Sequence, residues 1–118
     1  MYDEQNVFSK IIKGDIPADI VYENEKAIAF YDIAPIFKIH VIVIPKGKYM
    51  DYTNFINNAS DSEIIGFNKC IQKVVEILNL HDLGYRLVSN VRGYGGQEVF
   101  HLHFHILAGE KLPALSCE

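Results

Sequence analysis

At 118 residues, with 49% hydrophobic and 12% aromatic content, the composition suits one folded domain and not a disordered chain. Eleven basic against fifteen acidic residues give a net charge of −4, which argues against a general nucleic-acid binder with its basic face. No apolar run is long enough to span a bilayer, Met1 to Asn6 shows no secretory pattern, and Cys70 and Cys117 fit neither a disulfide framework nor a Cys-x-x-Cys site, so a reducing cytoplasm is expected.

A first helix is expected over about Glu4 to Lys13, where Val7, Phe8, Ile11 and Ile12 have helical spacing. Asp3 is its expected cap, Gly14 its end and Pro17 a stop beyond. Short β-prone runs follow at Ile20 to Tyr22 and Ala27 to Tyr31, separated by the polar turn Glu23 to Lys26. His40 to Ile44 is nearly all β-branched and stops at Pro45, which suggests a strand covered on both faces. The clearest helix runs from about Asp61 to Leu80. Ser60 and Glu63 form a capping-box pattern, and Ile64, Phe67, Ile71, Val74 and Leu78 make one stripe. Ile65, Val75 and Ile77 widen that apolar surface. Tyr85 to Ser89 and Val99 to Leu107 are the last expected strands, with the glycine-rich segment Asn90 to Gln97 between them. Helices and strands come in blocks, which favours α+β with a mainly antiparallel sheet.

The informative stretch is Phe100-His101-Leu102-His103-Phe104-His105-Ile106-Leu107. A chance His-x-His-x-His at this composition arises in roughly one shuffle in a hundred. Alternation along a strand puts His101, His103 and His105 on one face and Phe100, Leu102, Phe104 and Ile106 on the other. Three readings compete for the imidazoles. They are solvent-facing residues, or ligands of a zinc, copper or nickel ion. Or they act on phosphorus, one attacking it to form a phosphoramidate and another protonating the leaving group. Gly93, Gly95 and Gly96, just upstream, let backbone N–H groups turn toward an anion, which favours the third.

With these residues in view, the chain resembles the histidine-triad (HIT) superfamily of nucleotidyl hydrolases and transferases. Its pattern, three histidines alternating with apolar residues, is met in full by His101 to Leu107. Gly95-Gly96-Gln97-Glu98-Val99 resembles the family's lead-in to the triad. Phe8 to Ala18, Ala29 to Pro35 and His40 to Lys46 resemble its upstream blocks. The likeness runs over about residues 7–109 of a single domain spanning 1–118, with 110–118 as a tail. It is closest to the Hint branch, the purine nucleoside phosphoramidases.

The resemblance implies a five-stranded antiparallel sheet with a short N-terminal helix and one long helix. It implies a homodimer whose sheets join and whose long helices pack through the Ile64 to Leu78 stripe. It implies hydrolysis of a nucleoside 5′-phosphoramidate to an amine and a purine nucleoside monophosphate through a nucleotidyl-histidine, with no metal or cofactor. In that pattern His103 is the nucleophile, with Nδ1–H held by a backbone carbonyl and Nε2 open. His105 is the acid at the leaving group, and His101 and His40 support the site. Asp32 matches the acceptor for the ribose hydroxyls. Val7, Phe8, Ile11, Ile16, Phe30 and Ile33 match the apolar pocket for the base. Asn90 and the Gly96, Gln97, Glu98 and Val99 segment match phosphate or ribose contacts. His81 matches nothing and is expected on the surface. The sequence departs from the branch at Glu98, where Ser or Thr is common, and in the tail from Lys111 onward, which lacks the Trp-Pro-Pro ending of animal-type members. Dinucleoside polyphosphate hydrolysis and a nucleotide-binding or scaffold role with incidental hydrolysis stand as alternatives.

Overall fold

The computed structural model describes residues 1–115, so Cys117 and the end of the expected tail lie outside the described residues. Among the described residues the chain forms three helices and five strands. They run α1 (Val7–Lys13), β1 (Ile20–Glu23), β2 (Ala27–Tyr31), β3 (Ile39–Pro45), α2 (Tyr52–Asn58), α3 (Asp61–Ile77), β4 (Arg86–Val88) and β5 (Phe104–Ala108). The strands make one antiparallel sheet in the order β1-β2-β3-β5-β4. None of the described helices is long and apolar enough to cross a membrane.

Strand β3 sets the layering. Val41 and Val43 point into one core with Ala27, Ala29 and Ile106, while Ile42 and Ile44 point into a second with Ile28, Phe30 and Phe8. A nearly unbroken β-branched strand suits burial on both faces. Helix α3 covers the first face with Phe67, Cys70, Ile71, Val74 and Val75. Its stripe therefore packs on the chain's own sheet, and Ile65 and Ile77 stay exposed. The Ser60–Glu63 capping box is fully formed, which satisfies N–H groups that a helix start leaves open. Helix α1 covers the second face through Phe8, Ile11 and Ile12.

Several boundaries differ from the expectation. Helix α1 begins at Val7 because Asn6, not Asp3, caps it; the Asn6 side chain accepts the Ser9 N–H at 2.9 Å. Asp3 instead accepts from the Gln5 N–H and shapes the turn before the helix. Gly14 ends the helix in the left-handed region, φ 81°, as its position suggested. Helix α3 ends at Ile77, because Leu78 is its cap and Asn79 turns to φ 56°.

Helix α2 was not expected. It is built on the Asp51 cap and packs Phe55 between Tyr49 and Phe67, with ring centroids 5.2 Å apart in both pairs. Strand β5 begins at Phe104, not Val99. The Leu102 N–H leaves the ladder to bond the Tyr49 carbonyl at 2.8 Å. Phe100 is consequently 48% exposed rather than part of the apolar row, whereas Leu102, Phe104 and Ile106 pack in the core.

Phe67 joins α3, α2 and β5, with its ring against both Phe55 and Phe104. Phe67→Ala is expected to cost about 3–5 kcal/mol, read as a lower urea midpoint with an unchanged slope.

Candidate active site

The site grows from the β3–β5 register. Ile42 faces His105 and His40 faces Leu107, so His40 and His105 are diagonal neighbours on the face opposite α3. Their rings bridge the diagonal, with His40 Nε2 2.8 Å from His105 Nδ1. His40 Nδ1 accepts the Ile36 N–H at 3.3 Å, so the neutral ring carries its proton on Nε2. That proton is donated to His105 Nδ1, which leaves the His105 proton on Nε2. Asp32 Oδ2 lies 3.4 Å from His40 Nε2, and Asp32 Oδ1 accepts the Ala34 N–H at 2.8 Å.

A second chain of hydrogen bonds fixes His103. His101 has no exposed surface; its Nε2–H donates to the Pro45 carbonyl at 2.8 Å, and Nδ1 accepts from the Tyr2 hydroxyl at 2.5 Å. The His101 carbonyl lies 2.8 Å from His103 Nδ1, which places the His103 proton there. This is the backbone carbonyl expected at Nδ1, and it leaves the Nε2 lone pair of His103 without a partner among the described residues. Phe8 packs edge-on against the His103 ring at 4.9 Å. Ser89 holds the His103 carbonyl at 2.9 Å.

His40, His103 and His105 line a cleft of about 430 Å³ together with Asp32, Asn90, Gly96, Glu98, Val99 and Phe8. His101 lies beneath it as a support. Val7, Phe8, Ile11, Ile16, Phe30 and Ile33 all line an adjoining apolar chamber of about 230 Å³. Cleft and chamber share Phe8, Asp32 and Ile42. Ile42 was missed, though it sits two residues from His40 on the same strand face. Tyr2 was missed too, because no local pattern ties a terminal tyrosine to a histidine 99 positions away. His81 is exposed, as expected.

The glycine segment differs from the expectation in its details. Gly96 and Gln97 give their N–H groups to the Gly93 and Arg92 carbonyls at 3.1 and 3.0 Å. The Gln97 side chain is turned into the loop, where it bonds Met50, Val99 and Arg92 backbone groups, and it does not line the cleft. Among the described residues, the N–H groups of Glu98 and Val99 and the Asn90 amide have no hydrogen-bond partner and line the cleft, so with His105 Nε2–H they are donors open to an anion. The loop is held from behind by Asp51, 1% exposed, whose carboxylate takes the Arg92 Nε–H at 2.8 Å and also caps α2. Arg92 sits at φ 54°, a region that disfavours side chains, and this bond helps to hold it there. Gly95 passes so close to the Val91 carbonyl that a Cβ would meet it at 2.3 Å.

Burial removes positive charge from the site. It pushes the His101 and His105 imidazoles down to about 4, and lowers His103 and His40 as well. The His103–His101 carbonyl bond, Asp32 and Glu98 oppose the shift at His103. Asp32, His40 and His105 also bring three metal-capable atoms within 4.8 Å. A proton already sits between the two nitrogens, so an ion there must displace it.

A family profile, the HIT domain, matches residues 13–112. The chain is 49% identical to a HIT-like protein of Rickettsia prowazekii over 98% of this chain and 96% of that protein. It is 36% identical to the purine nucleoside phosphoramidase of Escherichia coli over 92% of this chain and 91% of that enzyme. Among solved structures, a histidine triad protein from Clostridium difficile superposes with a TM-score of 0.85 at 35% identity, covering 98% of this chain and all of that one. A HIT family hydrolase from Legionella pneumophila gives 0.80 at 36% identity, covering 92% and 96%.

A histidine whose folded pKa is lowered binds its proton more weakly than in the unfolded chain. Its stability contribution is complete above about 6.5 and is lost as pH falls toward the folded value. For His101 the loss amounts to about 3 kcal/mol by pH 4. Thermal unfolding between pH 7 and 4.5 is expected to show a steadily falling midpoint, with a flatter profile in His101→Gln.

Proposed function

The chain belongs to the HIT domain family, and on that premise we propose that it is a hydrolase that cleaves purine nucleoside 5′-phosphoramidates to a nucleoside monophosphate and an amine. The observation that carries this reading is the hydrogen bonding of the two central imidazoles, which assigns their tautomers. His103 presents a lone pair at Nε2 and His105 presents a proton at Nε2, both on the same cleft. One cleft thus offers both a nucleophile for phosphorus and an acid for the departing nitrogen, the two groups that the displacement needs.

In this reading the base occupies the apolar chamber, whose walls suit a flat ring. Asp32, at the junction of chamber and cleft, accepts from the ribose hydroxyls through its remaining lone pairs. Phosphate oxygens meet the N–H groups of Glu98 and Val99 and the Asn90 amide. An anionic phosphate raises the pKa of adjacent imidazoles, so the His40–His105 pair takes up a proton on binding. His103 Nε2 then forms a bond to phosphorus. The phosphorus–nitrogen bond to the amine breaks, its electron pair stays on that nitrogen, and His105 supplies the proton. In the second half, water gives a proton to His105 and its oxygen attacks phosphorus. The His103–phosphorus bond breaks, and the nucleoside monophosphate leaves. His101 acts through His103, by presenting the carbonyl that fixes its tautomer.

A homodimer forms part of the same reading. Support comes from β4, a strand at the sheet edge with Leu87 42% exposed, and from Ile65 and Ile77, exposed on α3. Light scattering on the purified chain is expected to give twice its 13.4 kDa mass; a monomer at micromolar concentration would remove the dimer.

The central test is hydrolysis of a fluorogenic adenosine 5′-phosphoramidate with a chelator present. Wild type is expected to turn over. His103→Ala is expected to lose at least a thousandfold in kcat, in line with removal of a covalent nucleophile, while its circular dichroism stays unchanged. Near-normal turnover in that variant sinks the reading. A diadenosine polyphosphate run alongside is expected to be the poorer substrate.

A further inference from the structure

The cleft has an unusual charge inventory for a phosphate site. Two carboxylates, Asp32 and Glu98, line it, and among the described residues no lysine or arginine does. The basic residue of the adjacent loop, Arg92, is turned to Asp51 at 2.8 Å. Lys46 and Lys48 are paired with Glu23 and Glu4 at 2.7 and 2.9 Å. The imidazoles add no formal charge near neutral pH, since burial lowers them.

The two carboxylates are not equivalent. Asp32 stands where cleft and apolar chamber meet, and both of its oxygens have neighbours, the Ala34 N–H and His40. Glu98 lines the cleft outside the residues shared with the chamber. It is exposed and makes no hydrogen bond or ion pair among the described residues. With the base in the chamber and phosphorus at His103, the leaving group is left the part of the cleft that the chamber does not share, and Glu98 lines that part.

We propose that Glu98 is a specificity-determining residue that selects leaving groups carrying a positive charge: the favoured substrates are nucleoside phosphoramidates of amines that bear a second, cationic group. The inference deepens the phosphoramidase reading and rests on it. A distal ammonium or guanidinium meets an unpaired carboxylate there, a neutral amine gains nothing from it, and a polyphosphate leaving group meets repulsion. Because Glu98 is solvated, the discrimination is moderate, about fivefold for a pair near the surface, and it weakens with salt.

The experiment compares two adenosine 5′-phosphoramidates that differ only in distal charge. One leaves 1,4-diaminobutane, with a free ammonium; the other leaves its monoacetylated, neutral form. AMP release gives kcat/KM for each at low ionic strength, in wild type, Glu98→Gln and Glu98→Asp. Wild type is expected to favour the cationic substrate about fivefold, with the ratio shrinking in 0.5 M salt. The ratio is expected to fall to about one in Glu98→Gln and to survive in part in Glu98→Asp. Taking the ratio within each variant cancels any general loss of activity. Equal turnover by wild type, or a preference that persists in Glu98→Gln, overturns the selection by Glu98 while leaving the phosphoramidase reading in place. If wild type hydrolyses neither substrate, both fall together.

Discussion

An imidazole can be buried near neutral pH only if it stays uncharged and its nitrogens find partners. His101 meets this demand on every side, with the Pro45 carbonyl at one nitrogen and the Tyr2 hydroxyl at the other. Much of the site's order follows from it. A fixed His101 fixes its own carbonyl, the carbonyl fixes the His103 tautomer, and the tautomer decides which nitrogen faces the cleft. The contact with Tyr2 ties the first residues of the chain to the centre of the fold. The contact with Pro45 ties the triad segment to the end of β3, outside the regular sheet ladder.

The sheet supplies the other half of the arrangement. One face is filled by α3 and the aromatic contacts among Phe55, Phe67 and Phe104. This leaves the opposite face for His40, Ile42 and His105, with α1 covering only part of it. Two residues of β3 thus serve two purposes: His40 enters the cleft and Ile42 walls the chamber beside it. The glycine segment completes the cleft from outside the sheet. Its shape comes from Gln97, Arg92 and the buried Asp51, none of which lines the cleft itself.

Features that repeat along the chain were legible in the sequence. Alternation of His and apolar residues, the β-branched run at His40 to Ile44 and the stripe on α3 all report burial at short range, and the sheet and long helix follow from them. The capping box and Gly14 were legible because their chemistry is local. Helix α2 was not, since Phe55 is its only buried residue and seven residues carry too little periodicity to register. The limits of β5 were hidden for a different reason: Leu102 exchanges a sheet partner for Tyr49, more than fifty residues away. The six apolar residues assigned to the base pocket from the family likeness do gather in one chamber. Gln97, from the same source, does not reach the cleft, because its amide bonds two nearby backbone groups, at Arg92 and Val99, and the Met50 carbonyl ahead of α2.

The depressed imidazoles carry a calorimetric consequence. Near neutral pH these buried imidazoles hold fewer protons than exposed histidines do just below that range. An anion entering beside them restores affinity for those protons, so the cleft behaves as a small acid–base buffer whose capacity depends on occupancy. On the proposed function, the heat of nucleotide binding therefore contains the ionisation heat of whatever solution component supplies the proton. Two buffers of the same pH will report different apparent enthalpies for one and the same association, and the difference between them counts the protons.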